Sequence, residues 1–257
     1  MKTSSLRAML ANRLRRKKLY CRAEYWDAKA EEYDEQSASW WPNTTLSALQ
    51  RREIKSAVDD MLGDVVGVRV IDLGCGTGQI SRHLASRGAT VLGIDFSEGA
   101  IEVARGVEAT PMPVYLVGSV LEFKVDEPVD TVVIVGVLTV ACQTAEDLDV
   151  ALNRVVSAVK PGGRVIFIEP VHSGPLCRVL RMGRGRFLTH LEAAGLQIER
   201  VRPLCAWPSR VAVGYLNLPA WITRPVYWVG DSIMRRLHIR WLGDYLAVRV
   251  NKPRIRQ

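Results

Sequence analysis

Residues 70–80 read VIDLGCGTGQI: an apolar run, an acid at Asp72, then glycines at 74, 76 and 78. A turn this rich in glycine lets a ligand lie directly against the backbone, where side chains would block it. A second carboxylate, Asp95, closes the next apolar run, VLGID, 23 residues after Asp72. A carboxylate at such a strand end can accept a hydrogen bond from each of two ribose hydroxyls, a bidentate, charge-assisted contact. Nicotinamide dinucleotides, nucleoside phosphates and S-adenosylmethionine are all held on glycine turns that follow a strand. The spacing here is Gly-x-Gly-x-Gly rather than Gly-x-Gly-x-x-Gly, and no Gly-Lys-Ser/Thr ending follows, so neither phosphate reading is well supported. Cys75 sits inside the turn and reads as a small turn residue rather than a nucleophile. Further along, EPVHSG places Glu169 and His172 after another apolar run. A histidine titrates near neutrality and suits a general base, an exposed loop histidine being the bland reading.

The elements that must position these residues follow from periodicity. Apolar runs at 68–74, 90–97, 114–120, 130–141 and 164–170 read as five strands, and the fourth is apolar on both faces, as a central parallel strand is. Helical patterns at 79–88, 98–106 and 145–163 lie between them, the last stopped by Pro-Gly-Gly. LSALQRREIKSAVDDMLG forms a helix before the first strand; beyond residue 183 come another helix, a sixth strand at 196–204 and a closing strand at 244–253. This alternation predicts an α/β fold, a doubly wound, mostly parallel sheet of seven strands with its ligand at the carboxyl ends. All seven tryptophans fall outside residues 65–200, at 26, 40, 41, 207, 221, 228 and 241. They either pack helices onto the sheet or belong to segments folded over its carboxyl edge, residues 207–240 then being a lid. The expected organisation is a basic arm at 1–23 and a single domain at 24–257, with a cofactor-binding core at 64–200.

Composition narrows the function class. The 257 residues are 48% apolar, enough for the core of one large domain. No apolar stretch is long enough for a membrane span, and no secretory signal is visible. The five cysteines never form a Cys-x-x-Cys pair, which argues for reduced thiols in a cytoplasmic setting and against a metal site. Residues 1–23 hold eight cations and no acid, equal to the whole net charge of +8, so the remainder is formally neutral. A globally basic surface for nucleic acid is therefore not expected. The basic segment instead reads as an amphipathic helix able to meet an anionic membrane surface, a solvated arm or an RNA-contacting arm being the alternatives.

Four motifs in order, VIDLGCGTG, VLGIDFSEGAI, VDTVVIVGVL and KPGGRVIFIEP, resemble the class I S-adenosylmethionine-dependent methyltransferases, in their small-molecule branch. The resemblance covers about residues 24–200 and again 244–250, and implies a Rossmann-like fold with S-adenosyl-L-methionine as cofactor. Carried over by position, Asp72, Gly74, Cys75 and Gly76 would hold the methionine moiety through backbone and water. Asp95 would bind the ribose, and Phe96 would pack on the adenine. Gly136 and Val137 would offer a carbonyl to the methionine ammonium. Ser119, with Val120 beside it, stands where the family usually has an aspartate for the adenine amino group, which implies a weaker contact. YWDAKAEEYD resembles the segment that many relatives lay over the methionine end; Tyr25 or Tyr33, with Arg51 or Arg52, would reach the carboxylate.

The sulfonium methyl is already electrophilic, so such an enzyme mainly aligns an acceptor and excludes water. Many relatives carry a histidine just after the fourth strand. Here that stretch is VLTVACQ, which leaves His172 and Glu169 as the candidate acid–base pair. No Asn/Asp-Pro-Pro-Tyr/Phe run marks an amino-adenine methyltransferase. The acceptor expected is a small, apolar or lipid-like hydroxylated metabolite, and SASWWPN resembles a stretch of ubiquinone-pathway O-methyltransferases. An RNA or protein methyltransferase that uses the basic arm, or a non-catalytic cofactor-binding protein of the same fold, are the rival readings.

Overall fold

The computed structural model describes residues 19–33, 43–171, 180–216, 218–237 and 239–254. The helices there are α1 (Ala23–Tyr33), α2 (Thr44–Leu62), α3 (Gln79–Ser86), α4 (Glu98–Gly106), α5 (Leu138–Ala141), α6 (Ala145–Ala158), α7 (Arg184–Ala193), α8 (Trp207–Leu216) and α9 (Ala220–Arg236). The strands are β1 (Arg69–Leu73), β2 (Thr90–Asp95), β3 (Val114–Val117), β4 (Val129–Val135), β5 (Val159–Glu169), β6 (Gln197–Ala206) and β7 (Gly243–Asn251). They form one seven-stranded sheet in the order β3-β2-β1-β4-β5-β7-β6. β7 runs antiparallel to both β5 and β6, and the other pairings are parallel. The doubly wound architecture expected from the alternation is the one observed.

Alternation along each strand feeds two cores. Ile71 and Leu73 of β1, with Val132 and Ile134 of β4, face α6 and α7 through Leu152, Val155, Phe187 and Leu191. Their neighbours Val70 and Val133 point the other way, onto Val58 and Met61 of α2 and Leu84 of α3. A strand apolar at every position is therefore what a sheet covered on both faces requires. One expectation needs correction: the apolar run 130–141 is not all strand. β4 stops at Val135, Gly136 turns the chain at φ 70°, and α5 follows. Hydropathy alone cannot see that break, because both pieces are buried.

Buried polar contacts tie the C-terminal helices to α2: Arg210 of α8 donates to Gln50, Tyr227 of α9 donates to Glu53, and Asn43 joins the start of α2 to the segment between α8 and α9. Asn43 caps α2, its Oδ1 accepting from the Leu46 N–H at 3.0 Å, while its Nδ2 donates to Leu218 O at 2.9 Å and Thr223 Oγ1 at 3.2 Å. The residue is buried, so truncation removes a cap and strands polar partners. Asn43→Ala is expected to lower unfolding free energy by about 2 kcal/mol, read as a shifted denaturant midpoint at unchanged slope.

Candidate cofactor site

A cavity of ≈ 480 Å³ opens at the carboxyl ends of β1, β2 and β4, where parallel sheets place their ligands. The turn between β1 and α3 forms its floor. The N–H groups of Gly74 and Cys75 both donate to Ile94 O of β2, at 2.6 and 3.1 Å, which fixes the turn to the neighbouring strand. Gly74 has φ 75°, and a Cβ there would lie 2.1 Å from Val137 Cγ2, so this approach of β1 to β4 admits glycine only. The Gly76 N–H donates to Asp95 Oδ2 at 2.8 Å, and Asp95 Oδ1 accepts from the Ser97 N–H at 3.0 Å.

Eleven of the thirteen residues assigned to the cofactor from sequence line this one cavity: Arg51, Asp72, Gly74, Cys75, Gly76, Asp95, Phe96, Ser119, Val120, Gly136 and Val137. Tyr25 does not. It packs behind the wall, with its ring 5.2 Å from those of Tyr20 and Trp26, and these two rings line the cavity in its place. The side chain of Tyr33 lies outside the described residues. Of the two adjacent arginines Arg51 faces the cavity, whereas Arg52 lines a different hollow. Ser119 Oγ accepts from the Leu121 N–H at 3.2 Å, so part of its capacity is spent holding its own turn.

The electrostatics specify a ligand with charges of both signs. Asp72 and Asp95 are both buried, and neither makes an ion pair among the described residues. Burial, with Asp95 nearby, pushes the Asp72 carboxyl up to about 7, although Ser81 Oγ donates to it at 2.6 Å. Burial likewise raises Asp95, against the three backbone N–H bonds that oppose it. Arg51 Nη1 is buried with no hydrogen-bond partner, and desolvation lowers the pKa of its guanidinium. A ligand carboxylate would satisfy that nitrogen, an ammonium would offset Asp72, and ribose hydroxyls would donate to Asp95. A zwitterionic nucleoside such as S-adenosylmethionine fits this donor set. Cys75 is not a nucleophile here: burial beside two carboxylates drives its thiol far above the usual range.

Glu169 is a correction. It is fully buried and absent from the cavity wall. Oε1 accepts from the N–H groups of Val137 and Leu138 at 2.8 and 3.0 Å, and Oε2 from the Thr139 N–H and hydroxyl at 3.1 and 2.9 Å. It caps α5 and thereby shapes the turn that carries Gly136 and Val137. With both oxygens engaged it has no geometry for proton transfer from a ligand. Glu169→Gln replaces an acceptor with a donor facing N–H groups, at an expected cost of roughly 2 kcal/mol in unfolding experiments. His172 lies outside the described residues, as do residues 1–18 of the basic segment and all of the SASWWPN stretch before Asn43.

Residues that sequence reasoning missed come mainly from the N-terminal end. Tyr20 and Trp26 line the cavity, and Trp26 Nε1 donates to Tyr20 O at 2.9 Å. Asp27 accepts from Ser97 Oγ at 2.6 Å and from the Gly99 N–H at 3.0 Å, pinning α1 to the start of α4 just beyond Asp95. Gln143 and Lys55 also face the cavity. The mixed aromatic and acidic run EYWDAKAEEYD was the available signal, but it could not say which aromatic turns inward. The segment 207–240 does not line the cavity at any described residue; α8 and α9 pack on α2 and β6 instead.

Residues 70–163 match a family model described as a methyltransferase domain. This stretch is a methyltransferase domain, and the chain's relatives are named as methyltransferases. It is 26% identical over 226 residues to a ubiquinone biosynthesis O-methyltransferase of Xanthomonas euvesicatoria, a match covering 83% of this chain and 89% of the relative. It is 27% identical over 155 residues to a demethylmenaquinone methyltransferase of Lactococcus lactis, covering 58% of each. Among solved structures it is similar to an S-adenosylmethionine-dependent methyltransferase from Mesorhizobium loti, with a TM-score of 0.57, 21% identity, and 76% of this chain and 96% of that one aligned. Within this methyltransferase the matched segment runs from β1 into β5, the stretch that builds the glycine turn, Asp95 and the β4 end. Among the described residues no helix is long and apolar enough to cross a membrane, and no cluster could hold a metal ion.

Proposed function

We propose that this methyltransferase transfers the methyl of S-adenosylmethionine to a hydroxyl of a small, apolar metabolite. The observation that carries the reading is the mixed lining of the cavity. Arg51, Asp72 and Asp95 supply charge, and Tyr20, Trp26, Ile54, Val140 and Ala141 supply apolar wall. When bound, S-adenosylmethionine supplies an electrophilic methyl group. The protein's own residues hold the two reactants in line and exclude water, which can contribute about 7 to 11 kcal/mol to lowering the barrier. An aromatic hydroxyl on a quinone-precursor-like ring suits the wall, and the relatives named for ubiquinone and menaquinone biosynthesis support that acceptor class. His172 is assigned the hydroxyl proton, and the basic residues 1–23 are assigned contact with an anionic membrane surface at the cytoplasmic face.

The test uses methyl-labelled S-adenosylmethionine with a panel of polyprenylated and unprenylated catechols and phenols. Label in a hydroxylated ring, with S-adenosylhomocysteine formed in equal amount, is the expected outcome. His172→Ala should lower kcat about a hundredfold with little change in cofactor affinity. Label appearing instead in RNA or protein, lost when residues 1–23 are deleted, would replace the small-molecule reading. Tight cofactor binding with no acceptor labelled would leave a non-catalytic binding protein.

A further inference from the structure

α9 carries an apolar face that none of the described residues covers. Trp221 is 75% exposed, Trp228 41%, Val229 57% and Ile233 46%, and beyond the helix end Leu237 and Trp241 are 65% and 67% exposed. At 100° of turn per residue, positions 221, 228, 229 and 233 fall within an arc of about 140°, on one side of the helix. The opposite side, with Thr223, Tyr227 and Met234, is buried in the protein. Soluble surfaces tolerate single exposed apolar residues, but two exposed tryptophans with two aliphatic residues on one helix face mark a contact site.

The charge around the face selects the partner. Between residues 220 and 242 the only acid is Asp231, which is buried and ion-paired with Arg235. Arg224 and Arg236 are exposed, with no ion pair among the described residues. Beside Trp228, Arg224 and Arg52 line a shared hollow with the hydroxyl-bearing Thr44 and Thr45 at the first turn of α2. Two guanidinium groups and an aromatic ring bordering one hollow suit a phosphodiester, which a guanidinium binds through paired N–H donors. Tryptophan is also the side chain that settles at the boundary of a bilayer, with an apolar body and a polar N–H.

We propose that the exposed face of α9, with the Arg52–Arg224 hollow, is a docking surface for an anionic phospholipid bilayer. The helix lies flat, the tryptophans enter the headgroup–acyl boundary, and the hollow takes a lipid headgroup phosphate. This contact is separate from any made by residues 1–23, and it does not depend on the identity of the methyl acceptor.

The test is co-sedimentation of the full chain with phosphatidylcholine vesicles that either contain or lack phosphatidylglycerol, a readout independent of turnover. Strong binding is expected only with phosphatidylglycerol. Arg52→Gln combined with Arg224→Gln should weaken that binding about 30-fold, at roughly 1 kcal/mol for each surface cation. Trp221→Ser combined with Trp228→Ser should weaken it about tenfold or more, and Trp221→Ser alone, at the more exposed ring, should weaken it in the same direction with the unfolding midpoint unchanged. Wild-type partition by either double variant overturns the proposal, since residues 1–23 would then account for the binding. Equal partition to both kinds of vesicle overturns it as well. So does a dimer in sedimentation velocity that the tryptophan substitutions dissociate while vesicle binding is absent, which would make the face a contact between two copies of this chain.

Discussion

Asp95→Ala is expected to weaken S-adenosylhomocysteine binding by at least about 100-fold. Two hydroxyl donors to one ionised acceptor contribute roughly 1.5 to 3 kcal/mol each, and tenfold in affinity corresponds to about 1.4 kcal/mol. The same carboxylate orders the cradle, because its Oδ2 holds the Gly76 N–H and its Oδ1 the Ser97 N–H. Asp95→Asn separates these roles: it keeps one accepting oxygen for the backbone but loses the charge, so its loss should be smaller than that of alanine. Calorimetric titration of both variants checks the prediction. An alanine variant that binds within tenfold of the parent would remove Asp95 from the ribose. An alanine variant that unfolds can be replaced by Asn for the same comparison.

Cofactor affinity is expected to fall as pH drops below neutrality, about tenfold for each pH unit. In the free protein Asp72 sits at about 7, raised by burial and by Asp95. Below that value it carries a proton, which an arriving ammonium must displace, so affinity is full above pH 7 and declines below it. Titrations at pH 6 in buffers of different ionisation enthalpy should show close to one proton released, and Asp72→Asn should release none. The same shift acts on folding with a definite sign. The folded pKa lies above the ordinary value of 3.8. The free protein therefore loses stability as pH rises from about 4 to 7, at up to about 1.4 kcal/mol per unit, and bound cofactor should flatten that slope. Affinity independent of pH from 5 to 8 would place the ammonium away from Asp72.

Much of the architecture was legible because it is written in local patterns. Continuous apolar runs such as 132–135 mark strands covered on both faces, and helices of the right length lie between them, so the sheet followed from periodicity. The glycine turn and Asp95 were legible for the same reason: backbone approach and strand-end carboxylates act within a few residues of chain. Arg51 was narrowed to a pair of adjacent residues but not chosen. One residue is 100° of helix, and only the packing of α2 decides which arginine turns toward the cavity.

Other features depended on contacts between distant segments. Glu169 reads in sequence as an acid at a strand end, like Asp72 and Asp95. Its distinction is that the N-terminus of α5 folds onto it, 30 residues earlier in the chain, and occupies both oxygens. Asp27 gives no signal of its own, yet it fastens α1 to Ser97 and Gly99 across 70 residues and so brings Trp26 to the cavity. The tryptophans of 207–241 were countable from the start, but whether they faced the cavity, the core or solvent was not. By itself the sequence determined the fold class, the glycine turn and the carboxylate at the end of β2, because periodicity and turn chemistry are properties of neighbouring residues. The tertiary structure alone decided which arginine, which aromatic ring and which carboxylate line the cavity, because orientation and burial arise only when segments far apart in the chain pack together.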